Sequence, residues 1–342
     1  MRLKRLSLVV VSICLVLMFV SLSLVTEKAL AQQKTFNWKM TSPFPAGHTK
    51  NKSIIQLAQT LGERTNGAVK ITTYESTLGA PTDQWDMLKN NAIQISFLAE
   101  AYNVGRVPVI SIVNLPFELP DMNAILLVAN EWLKAGYLKE ITDNFKVLYF
   151  SPLNLQHPFL RNKKVTTLED LKGLKMRSVS GVQGQVITAL GATGVSMSGG
   201  ETYMALQTGV IDGTITGIDN VVDRKFYEVC KYGMELPLYA GIYTLAMNKE
   251  TWNSLPADFQ KLIEQMSQDI SISVLKTSIT EEKAMWETII KRGVEVYTIS
   301  PEEKTRWKKA TTNVADKYVQ DWTAKGYPVK EALEMMRKMA SK

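Results

Sequence analysis

Two observations predict an α/β protein with largely parallel sheets. Segments of strand period alternate with segments of helix period in repeated strand–helix–strand order, once up to about residue 150 and again from about residue 151. Composition agrees: of 342 residues, 45% are hydrophobic and 21% charged, the profile of a folded chain with room for about two domains.

The elements follow in order. Asn37 to Thr41 reads as a strand. Ser53 to Arg64 puts Ile54, Leu57, Ala58 and Leu61 on one helical face. Thr65-Asn66-Gly67 stops that helix, because Asn and Gly take the left-handed cap most readily. Val69–Tyr74 reads as a strand, Thr82–Lys89 as a helix, Ile93–Leu98 as a strand, Asn123–Lys134 as a helix and Phe145–Phe150 as a strand. In the second series, Thr167-Leu168-Glu169-Asp170 has the spacing of a helix start and leads into a strand over Leu174–Val179. Gln183–Leu190 and Gly200–Gln207 read as helices, Asp212-Gly213-Thr214 as a turn into a strand, and Lys225–Tyr232 as helical near its start. Neither Pro nor Gly follows Pro256 until Gly293, so a helix of about 37 residues, about 55 Å long, is expected there. Ser300-Pro301-Glu302-Glu303 opens another helix, with Ser as cap and Pro at the first position.

Residues 1–31 stand apart. Arg2, Lys4 and Arg5 precede an uncharged apolar run from Leu6 to Val25, and Ala29-Leu30-Ala31 offers a small-x-small site before Gln32. This is the pattern of a secretory signal peptide that is cleaved on export. The run exceeds the usual apolar core of about 7–15 residues, so an uncleaved anchor is the other reading. Ile13 before Cys14 argues against a lipoprotein signal. Residues 1–31 carry Arg2, Lys4, Arg5 and Lys28 against Glu27, so the formal charge of +7 falls to +4 in the remainder. That charge is spread along the chain, which gives nucleic acid no footprint.

Only Cys230, His48 and His157 remain as thiol or imidazole groups, so no internal disulfide, no zinc or iron–sulfur site and no other cofactor is expected. No phosphate-binding glycine loop or nucleophile elbow occurs, and nothing after residue 31 resembles a membrane span. The expected product is exported, soluble and free of cofactors, and is not embedded in the membrane once its signal is cleaved.

The most informative stretch is Asp170-Leu171-Lys172-Gly173-Leu174-Lys175-Met176-Arg177. Arg177 ends a strand, and ligands of α/β sheets collect at the carboxyl ends of strands. A guanidinium presents a planar fork that matches a carboxylate. The plainer reading of a lone Arg is a surface ion pair.

Together with other landmarks this stretch makes the chain resemble the solute-binding receptors of tripartite ATP-independent periplasmic (TRAP) transporters, in their C4-dicarboxylate-receptor-like family. The landmarks run from Lys39 to about Gln260. They include Glu63-Arg64-Thr65-Asn66-Gly67, Leu115-Pro116-Phe117, Glu201-Thr202-Tyr203-Met204-Ala205-Leu206-Gln207, Val210-Ile211-Asp212-Gly213 and Lys225-Phe226-Tyr227-Glu228-Val229. The resemblance implies a two-lobed periplasmic-binding-protein fold with a hinge, whose lobes close on a small organic acid, and the long helix would run along both. Lobe I would comprise residues 32–152 and about 243–280, and lobe II residues 153–242 and about 281–342 with the C-terminal helices. It also implies a partner, the permease subunits of a TRAP transporter, and a periplasmic location.

Arg177 matches the arginine that pairs with the ligand carboxylate in the family. His157 stands where some relatives carry a second arginine, and is either a ligand donor or a packed side chain. Thr216 replaces a frequent ligand-contacting Asn, and Gly199 stands where sialic-acid receptors have an aromatic, leaving room for another ligand shape. Phe44 and Glu100 follow strands that face the cleft in relatives. A carboxylate at Glu100 would repel an acid unless the ligand offers an amine or hydroxyl. Tyr102 and Tyr239 are further candidates, as apolar walls with polar tips. Trp286, Met285, Trp307, Trp322 and Met335-Met336 have the helical spacings of core packing. A sensory receptor that presents its ligand to a membrane signalling partner would use the same fold and pocket, and the sequence does not separate it from a transport receptor; a periplasmic hydrolase is a third reading, for which no nucleophile–base motif is recognisable.

Overall fold

A computed structural model describes residues 35–340, excepting 104 and 180. The signal expected in residues 1–31 lies outside the described residues. Among those residues no helix is long and apolar enough to cross a membrane.

The chain begins on β1 (Phe36–Ser42), where Phe36, Trp38 and Met40 are buried and Asn37 and Lys39 exposed, the alternation that fixes one face on a core. Helix α1 (Asn51–Arg64) buries Ile54, Leu57 and Leu61 and stops at Asn66 (φ 50°) and Gly67 (φ 76°), both left-handed as the sequence requires. Then come β2 (Val69–Glu75), α2 (Gln84–Lys89), β3 (Ile95–Ala99), α3 (Met122–Lys134), α4 (Lys139–Thr142) and β4 (Phe145–Pro152). The second series contains β5 (His157–Leu160), β6 (Lys175–Ser178), α5 (Gly181–Ala189), β7 (Thr193–Ser196), α6 (Thr202–Thr208), β8 (Gly213–Thr216), α7 (Ile218–Asp223) and β9 (Tyr232–Met234). Last come β10 (Ile242–Asn248), α8 (Lys249–Asn253), α9 (Ala257–Lys291), β11 (Glu295–Tyr297), α10 (Pro301–Thr323) and α11 (Val329–Ala340). The helical start expected in Lys225–Tyr232 is one short 3-10 turn, Phe226–Glu228, and Tyr232 opens β9.

Two sheets result, one ordered β2-β1-β3-β10-β4 and the other β11-β9-β5-β8-β6-β7. Five of the nine strand pairings are parallel, and the four antiparallel ones all involve β10 or β5. Those two strands stand beside the places where the chain passes from one sheet to the other. The segments between β4 and β5 and between β9 and β10 run together, joined by the bridge Gln156–Tyr239.

A third connection is α9, 35 residues and about 52 Å long. Its first half packs Ile263, Met266 and Ile270 with Trp38, Phe97 and Leu245 of the first sheet. Its second half packs Met285 and Ile289 with Phe159 of the second sheet, Ile218 of α7 and Phe226 of the 3-10 turn. One helix thus spans both lobes. The C-terminal helices close the structure: Ser300 caps α10 by accepting from the Glu303 N–H at 3.2 Å, and Trp307 is fully buried. Trp132 on α3 donates to the Ala332 carbonyl at 3.0 Å, which seats α11 on α3.

Candidate functional site

Four parallel strands aim their carboxyl ends at one place between the lobes. Beyond β1 lies Phe44, beyond β3 the 3-10 turn Glu100–Tyr102, near the end of β6 lies Arg177, and at the end of β8 Thr216. A sheet presents loops and side chains at these ends, so opposed lobes enclose a cavity there. Its volume is about 50 Å³. Arg177, Thr216, Phe44, Glu100, Gly199 and Tyr102 all line it. Gln156, Asn220, Arg224 and Tyr243 also form its wall.

Arg177 is 6% exposed. Its Nε donates to the Met197 carbonyl at 3.3 Å, and Nη2 approaches the Tyr102 hydroxyl at 3.5 Å from across the cleft. That hydroxyl also accepts the Gly199 N–H at 3.2 Å. Tyr102 of the first lobe therefore touches two groups of the second, and holds the guanidinium in place without neutralising it. Beside it Arg224 donates from Nε to Asn220 Oδ1 at 3.0 Å. Among the described residues neither arginine forms a salt bridge with a carboxylate; Arg177 is buried, which is costly for a cation unless an anion comes to it, and Arg224 is half-buried with Asp219 acting on it.

Glu100 lines the same cavity. Its Oε1 accepts from Asn114 Nδ2 at 2.9 Å, while Oε2 is buried without a partner. Burial pushes its carboxyl up to about 7, so near neutral pH it is close to half protonated. Phe44 packs 4.9 Å from the Tyr243 ring, and burial raises the Tyr243 hydroxyl well above its usual range. The wall thus combines flat apolar rings, two cations and a carboxyl that is able to donate.

His157 and Tyr239, also expected as ligand contacts, are not among the residues that line this cavity. The His157 ring meets the edge of Trp286 on α9 at 5.0 Å, and burial lowers its pKa to about 4, so it packs as a neutral ring. Tyr239 is held by its backbone, whose carbonyl accepts from Gln156 N–H at 2.9 Å, and its buried hydroxyl has no partner among the described residues.

Sequence reasoning missed Arg224, Tyr243, Gln156 and Asn220. Arg224 sits in the run Asp223-Arg224-Lys225, which reads as solvated surface, and Tyr243 lies in a strand with no alternation. A Cβ at Gly199 would stand 3.2 Å from Arg224 Cζ, so the missing side chain marks the space that Arg224 fills, a relation that spacing along the chain does not carry.

A clasp closes the rim. The Thr49 N–H and hydroxyl, in the loop after β1, both donate to Asp223 Oδ2 at 3.0 Å, at the end of α7. His48 Nδ1 lies 3.3 Å from the same oxygen, but it accepts the Lys50 N–H at 3.2 Å, and burial lowers its pKa to about 4. Its approach to Asp223 is therefore not a charged pair.

Two lobes, three connections and a cation-lined cavity between strand ends define a ligand-capturing receptor. The chain belongs to family 7 of the bacterial extracellular solute-binding proteins, whose profile (DctP) matches residues 40–321. It is 30% identical over 292 residues to the C4-dicarboxylate-binding periplasmic protein of Rhodobacter capsulatus, covering 79% of this chain and 83% of that one. It is 26% identical over 264 residues to the monocarboxylate 2-oxoacid-binding periplasmic protein of a Nostoc strain, covering 73% and 70%. Among solved structures, a TRAP solute-binding protein from Rhodoferax ferrireducens with copurified benzoate superposes with a TM-score of 0.83 at 23% identity, covering 90% of this chain and 98% of that one. The resemblance to TRAP receptors therefore holds, and these named relatives are binding proteins.

Proposed function

We propose that this protein captures a small organic acid in the inter-lobe cavity by non-covalent binding alone and delivers it from the periplasm to the membrane permease of a TRAP transporter. The observation that carries the reading is Arg177, a buried guanidinium with no carboxylate partner among the described residues, at the carboxyl end of β6, where the ligand carboxylate would dock as a bidentate pair. Phe44, Tyr102 and Tyr243 would cover its apolar part, and Thr216 and Gln156 would read its polar edge. The segments 153–156 and 235–241 would form the hinge, since they carry the chain between the sheets. Relatives that bind C4-dicarboxylates and 2-oxoacids support a carboxylate ligand.

Native mass spectrometry of the purified protein, followed by denaturation, tests the reading. A carboxylate released intact is expected, and Arg177→Ala is expected to lose it, because truncating one partner of a buried charge pair costs about 2–5 kcal/mol. Recovery of a chemically altered ligand would favour an enzyme. Retention of the acid by Arg177→Ala would remove Arg177 from the anchor role.

A further inference from the structure

Asn114 lies just behind the cavity wall, at the end of the 3-10 turn Ile110–Asn114, and is fully buried. Its amide meets three parts of the molecule. Nδ2 donates to Glu100 Oε1 at 2.9 Å, and to the Ala240 carbonyl at 3.2 Å in the segment that returns the chain to the first sheet. Oδ1 accepts from Gln183 Nε2 at 3.1 Å, on α5 beside the second sheet. Gln183 is oriented in turn, since its Oε1 accepts the Val179 N–H at 3.1 Å. A carbonyl can only accept and a backbone N–H can only donate, so Ala240 and Val179 leave the Asn114 amide one orientation, with its N–H groups toward Glu100.

That orientation holds Glu100 Oε1 back from the cavity. Oε2 is then the carboxyl atom left to a ligand, buried and without a partner among the described residues. Burial is the largest influence on this carboxyl and favours its neutral form, and the Asn114 donor is the largest that favours the ionised one. The other titratable and charged groups of the neighbourhood are Tyr102 on the same turn, Tyr239 and Tyr243 on and after the returning segment, and Arg177 and Arg224 of the wall. Glu201 acts on Arg177 and Asp219 on Arg224. Accepting the carboxylate-receptor reading, on which this rests, we propose that Asn114 is a positioning residue for capture. Acting through Glu100, it leaves one carboxyl oxygen to the ligand and sets the point at which that carboxyl ionises and begins to repel an acid.

NMR of protein labelled at the glutamate side-chain carboxyl carbons tests this without a ligand. The wild type is expected to show a carboxyl that titrates at about pH 7 and disappears in Glu100→Gln. Asn114→Leu removes the donor, and Asn114→Asp replaces it at nearly unchanged shape, which guards against misfolding. Each is expected to raise the midpoint by about one pH unit, the worth of one hydrogen bond to a charged group. A merely structural asparagine would cost stability and leave the midpoint in place. Titration calorimetry with succinate, pyruvate and benzoate then reads capture. For an acid that binds, wild-type affinity at about pH 8 is expected to lie about tenfold below its low-pH limit, against about twofold in Asn114→Asp. An unmoved NMR midpoint in both variants overturns the inference, as does an affinity profile that stays put while the midpoint moves, and either leaves the receptor reading intact. Failure of every acid to bind the wild type overturns that reading, and the role in capture with it.

Discussion

Burial is the largest cause of the shifts at Glu100, Tyr243 and His157, and this gives them readable pH behaviour. Glu100 titrates at about 7, so its ionised form would repel an incoming anion above that pH. Acid binding is expected to weaken as pH rises through about 7, approaching tenfold per unit at the limit, and Glu100→Gln is expected to flatten the profile. A flat wild-type titration between pH 6 and about 8.5 would remove Glu100 from contact with the ligand. His157 works in the opposite sense. Its folded pKa is depressed to about 4, so its contribution is present above the unfolded value of 6.5 and is lost as pH falls through about 4. A His157→Gln variant should therefore gain on the wild type by about 1.4 kcal/mol per unit as pH falls across that window. Parallel unfolding profiles would mean that water reaches the ring. At this scale the sequence was informative where a residue ends a strand, as with Arg177 and Thr216. It was silent where the role depends on a void, as with Arg224 over Gly199, because spacing along a chain does not record which side chains share a space.

Among the elements, helices were more legible than strands. The span of α9 follows from the absence of Pro and Gly, and the start of α10 from Ser300 and Pro301, since caps and breakers act locally. A Ser300→Ala change is expected to destabilise by about 1 kcal/mol, measured by denaturant titration with an unchanged slope. No loss would mean that the α10 start is held by tertiary packing alone. The strands that define the topology were not read. In β10 every residue is buried, so the alternation that marks a half-exposed strand is missing. In β5, Pro158 argues against a strand with neighbours on both sides, which is where it sits. Both are decided by non-local partners.

For the whole molecule, closure is the quantity of interest. Thr49 and Asp223 link the lobes at the rim and Tyr102 links them inside, so the cavity is bridged at two depths. Asp223→Asn is expected to weaken the clasp and shift the unliganded protein toward an open form, seen as a larger radius of gyration in solution scattering and faster ligand release. An unchanged radius and release rate would mean that Tyr102 and the hinge segments set closure without the rim. Ligand binding should stabilise the molecule by about 2.7 kcal/mol at 100 times the dissociation constant, which makes thermal shift a practical screen. The two-lobed plan is recognisable from landmark order, yet the sequence does not tell which strands belong to which sheet.

That exchange of strands has a consequence for how the protein comes into being. β3 and β4 do not pair with each other; β10 lies between them, almost a hundred positions later in the chain. A fragment ending at Pro152 would therefore leave β4 stranded beside an incomplete sheet. The first lobe has to wait for the second to be synthesised before it is sealed. For a receptor that works outside the cytoplasm, such a late keystone postpones compaction until most of the polypeptide is available, which suits a chain that must be threaded across a membrane before it folds.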